Sequence, residues 1–161
     1  MVKRKKYNYE RFLKMDIRFY KVNEMYGCFS NFSKHGFELD GKYWSTSEHY
    51  FQAQKFIESK IMEEVRLAKT PMEAARIGGN KNKPLRQDWE KIKDEVMMKA
   101  VFRKFTTHRE IRDILISTGN EEIIEETIDD YYWGRGANGD GKNALGKILM
   151  EVRTKLKNMN S

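Results

Sequence analysis

The sequence has little cysteine and proline and lacks any long hydrophobic run. Of its 161 residues, one is cysteine and two are proline. A single cysteine, Cys28, excludes an intramolecular disulfide and fits a reducing compartment. No apolar segment approaches the ~18 residues that a membrane-spanning helix requires, and no apolar stretch follows the N-terminal charges as in a secretory signal. We therefore expect a cytoplasmic globular protein with no membrane partner.

Positive charge is concentrated at the N-terminus. The chain carries a net charge of +7, of which residues 1–14, with six basic and one acidic side chain, supply +5. A length near ~150 residues is typical of one domain. The sequence therefore predicts a basic, flexible arm at 1–14 and a single compact domain at 15–161. The arm is either a solvated tail or a segment that adds salt-sensitive affinity for nucleic acid.

Hydrophobic periodicity predicts mainly helices with a small antiparallel sheet near the N-terminus, an α+β fold. Residues 17–22 have the character of a strand, and 37–44 that of a hairpin with Asp40-Gly41 as its turn. Helices are predicted at about 47–57, 60–68, 71–77, 89–105, 108–116 and 143–157, with a short strand at 123–128. Thr70, Asp88 and Thr107 have the positions of helix N-caps.

A glycine-rich loop at 134–142 precedes the last predicted helix. It matches both G-x-G-x-x-G and G-x-x-x-x-G-K, but too few residues follow for the parallel sheet that either nucleotide-binding fold needs. Such a turn can still present backbone N–H groups to an anion, with Lys142 adding positive charge. The alternative is a flexible connector with Asn143 as an ordinary N-cap. The acids and aromatics at 129–133 favour a nucleotide-like ligand.

The predicted helix at 47–57 carries a narrow polar stripe. At about 100° per residue, Glu48, Gln52 and Lys55 fall within roughly 60° of one another, between Phe51 and Phe56. A stripe bordered by aromatics favours a cleft, where a Glu with a raised pKa can act as an acid and a deprotonated Lys as a nucleophile. A capping box and a solvated helix face are the structural alternatives. The three scattered histidines lack metal-ligand spacing, so no metal site is expected.

Several segments together resemble the YbiA-like family, also called the NADAR family. They are YGCFSNF at 26–32, WSTSEHYFQAQKF at 44–56, PMEAARIG at 71–78, KPLRQDW at 83–89, DYYWG at 130–134 and GKNALGK at 141–147. The match runs from about residue 17 to 157, so the basic arm lies outside it. The string SEHYFQAQKF is far more specific than either glycine pattern.

The resemblance implies a compact, mainly helical fold and cleavage of the bond between ribose C1 and a nitrogen. Members act on ribosylamino-pyrimidine phosphates of riboflavin biosynthesis or remove ADP-ribose from guanine in DNA or RNA. We accordingly expect a monomeric N-glycosidase that needs no cofactor, binds a phosphorylated ribosyl or ADP-ribosyl substrate, and uses Glu48, Lys55 and Asp130 in catalysis. The expected substrate contacts are Asn31, Phe32, Gln52, Arg86, Trp89, Trp133, Gly134, Lys142 and Asn143.

Two routes to cleavage remain open at this stage. In one, a carboxylate activates water for direct attack on C1. In the other, the Lys55 amine attacks C1 and forms a Schiff base with the opened ribose. A non-catalytic module that binds ADP-ribose or NAD is the alternative function, although it would not need Glu48 and Lys55 together.

Overall fold

A computed structural model of the protein describes residues 15–159, so the arm predicted at 1–14 lies outside the described residues. The strands in this range are β1 (Ile17–Phe19), β2 (Phe37–Leu39), β3 (Lys42–Trp44) and β4 (Ile123–Glu125). The helices are α1 (Ser47–Ala53), α2 (Ser59–Arg66), α3 (Pro71–Gly78), α4 (Trp89–Thr107), α5 (Arg109–Ser117) and α6 (Ala144–Met159). The predicted α+β class is confirmed. Within residues 15–159, no helix is long and apolar enough to cross a membrane.

The strands form two separate pairs. β2 and β3 make the predicted antiparallel hairpin, whose turn residues Asp40 and Gly41 have φ of 53° and 75°. Two successive positive φ values define the hairpin turn that matches the twist of the strands. β1 pairs with β4 in parallel, with Phe19 in register with Glu125. The sequence indicated both strands but not this pairing, which joins distant parts of the chain.

Helix α1 is shorter than the pattern predicts. It is capped by the Thr46 side chain, which accepts a hydrogen bond from the His49 N–H, and it ends at Ala53. Lys55 therefore lies in the turn after the helix, where its N–H donates to the Gln52 carbonyl. The expected end near residue 57 is wrong, yet the turn keeps Lys55 on the same side as the helical stripe.

The side chains predicted to cap the N-termini of α4 and α5 do not do so. Asp88 makes no side-chain cap, because its carboxylate accepts hydrogen bonds from the Arg86 guanidinium at 2.6 and 3.1 Å. Thr107 is the last residue of α4, and its hydroxyl donates to the Arg103 carbonyl. α5 begins at Arg109 instead. In both places a nearby partner competes with the exposed N–H groups for the side chain.

Two hydrophobic clusters meet at α1. One contains residues from β1, β4 and helices α4 to α6, and Phe51 belongs to it. The other contains the hairpin and residues of α2 and α3, together with Tyr50 and Ala53. Every residue of α1 is buried, including Glu48 and Gln52. Because buried polar groups need internal partners, the side chains between the clusters must face one another or a cavity.

Lys104 fixes the segment at residues 28–30, which forms one wall of the space between the two clusters. Its buried Nζ donates to the Cys28 and Ser30 carbonyls at 2.6 and 2.9 Å. Burial lowers the pKa of this amine to about 7. A neutral amine still has two N–H donors, which match the two carbonyls.

This pKa predicts a pH-dependent contribution of Lys104 to stability. The pKa is about 7 in the folded protein against an ordinary 10.5, so the unfolded chain binds more protons between these values. The free energy of unfolding of the wild type should therefore rise relative to Lys104→Met from about pH 7 to 9, by at most ~1.4 kcal/mol per pH unit. Urea denaturation measures this difference. Lys91→Met, at an exposed lysine of α4, should show no such slope, and a flat or falling difference for Lys104→Met would contradict the assignment.

Candidate active site

A cavity of about 370 Å³ opens between α1, β4, the 30–32 segment and the turn at 130–133. Its lining residues are Ser30, Asn31, Phe32, Glu48, Phe51, Gln52, Lys55, Met97, Glu125, Thr127, Asp130 and Trp133. The polar stripe of Glu48, Gln52 and Lys55 therefore lines the same cavity as Asp130 and Trp133 of the DYYWG segment. The solvated-face alternative for the stripe is wrong.

Glu48 is held at the cavity wall by its neighbours. Its N–H donates to the Asn31 carbonyl at 3.2 Å, and its Oε1 accepts from Gln52 Nε2 at 2.7 Å. The side chain does not serve in a cap, since Thr46 fills that role. Burial raises the pKa of the Glu48 carboxyl and Asp130 adds to the rise, whereas the Gln52 hydrogen bond and Lys55 oppose it. A raised pKa favours the protonated carboxyl, which is the form that can donate a proton.

Lys55 presents a partly desolvated amine to the same cavity. Its Nζ lies 3.4 Å from the Gly78 carbonyl and 5.7 and 6.0 Å from the ring centres of Phe51 and Trp89. Burial lowers the pKa of Lys55, although attraction to Glu48 opposes the shift. A lowered pKa increases the neutral fraction of the amine, which is the nucleophilic form.

A tight turn fixes Asp130 beside Trp133. Asp130 Oδ1 accepts from the N–H groups of Tyr132 and Trp133 at 2.9 and 2.7 Å, the pattern of an Asx turn. The Trp133 ring meets Phe51 edge to face at 5.2 Å. The turn therefore places a carboxylate and an aromatic wall on one side of the cavity.

Glu125 is a site residue that the sequence reasoning missed. It lines the cavity from β4, and burial raises the pKa of its carboxyl to about 8, with repulsion from Asp130 and Glu48 contributing. Alternation along the strand could have found it, because residues two apart face the same side and Ile123 is buried. An acidic residue on the inward face of an otherwise apolar strand is the sequence signal that indicates such a site residue.

The end of the glycine loop is bonded within the fold. The N–H groups of residues 141–145 all donate to carbonyls of residues 131–135. Asn143 has φ of 51°, and its side chain donates to the Ile123 carbonyl and accepts from the Glu125 N–H. The predicted phosphate cradle is therefore wrong for these donors, and so is the alternative of an ordinary Asn143 N-cap.

Gly134 likewise allows close packing. A Cβ there would lie 1.8 Å from Thr127 Oγ1 and 3.0 Å from the Glu125 carbonyl. Gly134 therefore packs against the Glu125 backbone and the Thr127 side chain. Gly134 and Asn143 therefore help to position β4, and their contact with substrate stays a prediction.

Some of the other expected substrate contacts line the cavity, and the rest lie outside its lining. Asn31, Phe32 and Gln52 line the cavity. Trp89 packs behind Phe51, with ring centres 5.0 Å apart. The two cations lie outside the lining: Arg86 pairs with Asp88, and the Lys142 Nζ lies 4.8 Å from the Tyr132 ring centre. Their contact with substrate stays a prediction.

Comparison with known proteins assigns the family. A model of the NADAR domain matches residues 18–157. N-glycosidase YbiA of Escherichia coli is 50% identical over 140 residues, covering 87% of this chain and 88% of that protein. Its NMR structure superposes with a TM-score of 0.85 at 48% identity, covering 91% of this chain and 88% of that one.

Two further relatives carry related names. An N-glycosidase of Nostoc punctiforme is 49% identical over 148 residues, covering 90% of this chain and 95% of that protein. The chloroplastic riboflavin biosynthesis protein PYRR of Zea mays is 40% identical over 155 residues, covering 87% of this chain but 25% of that protein.

The chain belongs to the NADAR domain family. It is a hydrolase acting on N-glycosyl compounds, an N-glycosidase, as its relatives of about half-identical sequence are. This assignment favours the enzyme over the non-catalytic binding module.

The contact between Gly78 and Gln52 predicts an effect on activity. A Cβ on Gly78 would lie 2.0 Å from Gln52 Oε1 and 2.9 Å from Gln52 Cβ, so Gly78→Ala should displace the hydrogen-bond partner of Glu48. We expect kcat for N-glycoside hydrolysis to fall by about tenfold or more, with the ~100-fold effect of losing general acid–base catalysis reached if Glu48 is fully misplaced. Gly79→Ala is the matched control, because its Cβ would approach the Ala75 carbonyl at 3.3 Å and the Arg76 carbonyl at 3.9 Å but not Gln52. Equal activities of the two variants would contradict the prediction.

Proposed function

We propose that this N-glycosidase hydrolyses a small phosphorylated ribosylamine of the ribosylamino-pyrimidine phosphate class. The observation that carries the proposal is the convergence of Glu48, Lys55, Glu125 and Asp130 on one cavity of about 370 Å³. This volume is near the lower end of the ~300–1,000 Å³ typical of ligand pockets, which favours a single sugar inside the cavity. The riboflavin biosynthesis name of the maize relative supports the same substrate class.

The charge of the cavity suits the sugar rather than the phosphate. Three carboxyl groups and one amine face its interior. Cleavage of a ribose C1–N bond develops positive charge at C1 and the ring oxygen, which nearby carboxylates stabilise. The phosphate would instead be bound at the rim, away from the carboxylates.

Tyr132 is next to the lining residue Trp133 and has two cations over its ring, although Lys93 pairs with Glu90 and the Tyr132 hydroxyl donates to Asp94. The Nζ atoms of Lys93 and Lys142 lie 3.8 and 4.8 Å from its ring centre. Arg86 is tied by its backbone N–H to the Lys55 carbonyl at 2.9 Å, which keeps it close to the catalytic amine. We assign the phosphate to these side chains, with Lys142 and Arg86 as its principal partners.

In the proposed reaction Lys55 is the nucleophile. Its neutral amine attacks C1 as the C1–N bond breaks, the electron pair goes to the leaving nitrogen, and the ribose ring opens to a Schiff base. Water then hydrolyses this intermediate and regenerates the amine. Glu48 and Asp130 stabilise the developing positive charge and transfer protons. Direct attack by water activated by a carboxylate is the competing route.

ADP-ribosyl-guanine in nucleic acid is the second candidate substrate. The observation in its favour is that Lys142 and Arg86 lie outside the cavity lining, where a diphosphate could extend beyond the ribose. In that case the basic segment 1–14 would add affinity for nucleic acid. Mass spectrometry of the products from both substrates, at equal concentration, decides between them: we expect faster release of ribose phosphate from the ribosylamino-pyrimidine phosphate.

Borohydride trapping tests the role of Lys55. Reduction during turnover should convert the Schiff base into a stable secondary amine, with the mass of the opened ribose phosphate added to the peptide that contains Lys55. Lys55→Arg keeps the positive charge but should give no adduct and lose at least about 100-fold in kcat. Trapping on another residue, or full activity of Lys55→Arg, would exclude Lys55 as the nucleophile and favour direct attack by water.

Substitution of Glu48 tests the acid–base role. Glu48→Gln keeps the side-chain volume and a hydrogen-bonding partner for Gln52 but removes the titrating group. We expect kcat to fall about 100-fold or more, with a smaller change in KM, because proton transfer contributes at this scale. Glu58→Gln, at an exposed position before α2, is the control and should keep wild-type rates. A fully active Glu48→Gln protein would remove Glu48 from the mechanism.

A further inference from the structure

A second chamber adjoins the active-site cavity. It has a volume of about 580 Å³ and shares Ser30, Phe32, Glu125 and Thr127 with the first. Its remaining walls are Tyr20, Lys21, Val22, Asn23 and Met72. A molecule bound across the shared residues would therefore occupy both spaces at once.

The two spaces differ in chemical character. Three carboxyl groups and one lysine face the first, whereas large apolar side chains dominate the second. Tyr20, Val22 and Met72 are 49, 51 and 66% exposed, so apolar surface surrounds an open space. A flat, uncharged ring fits such walls, with Asn23 and Ser30 available for its polar edge.

Glu125 stands at the boundary in a fixed position. Its N–H donates to Asn143 Oδ1 at 3.0 Å, and its carbonyl accepts from the Arg135 N–H at 3.0 Å. Among the residues that the structure describes, its buried Oε2 has no hydrogen-bond partner. A carboxyl so held can turn this oxygen toward a group at the junction without breaking an internal hydrogen bond.

We propose that the second chamber binds the departing amino-heterocycle and that Glu125 donates the proton to its nitrogen. This inference rests on the proposed function and adds the leaving-group subsite to it. As the C1–N bond breaks, its electron pair goes to the nitrogen, which takes the proton of the Glu125 carboxyl. C1 gains its new bond from Lys55 or water, and water supplies the proton that returns to Glu125.

Glu125 is protonated at neutral pH. Burial raises the pKa of its carboxyl to about 8, and Asp130 and Glu48 contribute to the rise by repulsion. Lys55 faces the same cavity, and Lys21 the second chamber. The proton-donating form is lost as the pH rises through about 8, so the rate with a poor leaving group should fall there.

The leaving group itself tests the role of Glu125. We expect Glu125→Gln to lose about 100-fold or more in kcat with a ribosylamine whose amine is strongly basic, and less than about tenfold with one whose amine is weakly basic and leaves without protonation. The fall in wild-type rate above about pH 8 should also disappear. Glu126→Gln is the matched control, since Glu126 is the next residue and pairs with Arg18 and Arg135 instead. An equal loss with both substrates would show a structural role and overturn the proposal.

Binding of a free heterocycle tests the chamber without catalysis. The probe is 4-aminopyrimidine, titrated against the full chain with the methyl NMR signals of Val22 and Met72 as the readout. We expect saturable shifts at these methyls, and an affinity at least about tenfold weaker in Val22→Arg. Leu67→Arg, at an exposed position distant in sequence, should bind like the wild type. An affinity unchanged by Val22→Arg, or shifts confined to other methyls, would overturn the leaving-group subsite.

The two proposals fail differently. If no ribosylamine is hydrolysed but the aminopyrimidine binds at Val22 and Met72, the substrate assignment is wrong and the chamber assignment stands. If hydrolysis occurs but Val22→Arg leaves both probe affinity and product inhibition unchanged, the substrate assignment stands and the chamber assignment is wrong.

Discussion

The burial of α1 between two hydrophobic clusters is the constraint on which the rest of the structure depends. A fully buried helix would ordinarily be apolar on all sides, but this one carries Glu48 and Gln52. Burying an unpaired carboxylate is strongly unfavourable unless the group is protonated or hydrogen-bonded. The amide of Gln52 and the adjoining cavity meet that need. The core thus determines where an ionisable group can exist inside the protein.

The same constraint explains why carboxyl groups are concentrated around the cavity. Glu48 and Glu125 each have a pKa raised by burial and by repulsion from Asp130. Such clustering favours the protonated forms of these carboxyl groups. It also lowers the free energy of unfolding at pH values at which a carboxyl group must be charged. Sites of this kind are retained where the stored repulsion serves chemistry. In the proposed reaction, the positive charge that develops at ribose C1 offsets this repulsion in the transition state, which is the condition for catalysis.

The sequence predicts the parts of the fold that depend on local patterns. The stripe of Glu48, Gln52 and Lys55 follows from helical spacing, and the hairpin turn follows from the Asp40-Gly41 dipeptide. The parallel pairing of β1 with β4 joins segments about a hundred residues apart, as strand register shows, and no local pattern encodes it. Alternation along β4 could have marked Glu125 as facing inward, but its role depends on a neighbour, Asp130, and on a cavity wall supplied by α1, which no local pattern shows.

The glycine loop shows how a motif can indicate importance and mislead about chemistry. Its glycines and Asn143 bring α6, β4 and the Asp130 turn together, and the N–H groups of residues 141–145 are bonded within the fold. In the proposed function, phosphate recognition depends on cationic side chains such as Lys142 rather than on these N–H groups. Side-chain recognition tolerates phosphates of different length, whereas the proposed mechanism requires the C1–N bond to lie beside Glu48, Lys55 and Glu125. The proposed mechanism therefore places selectivity at the scissile bond and in the leaving group.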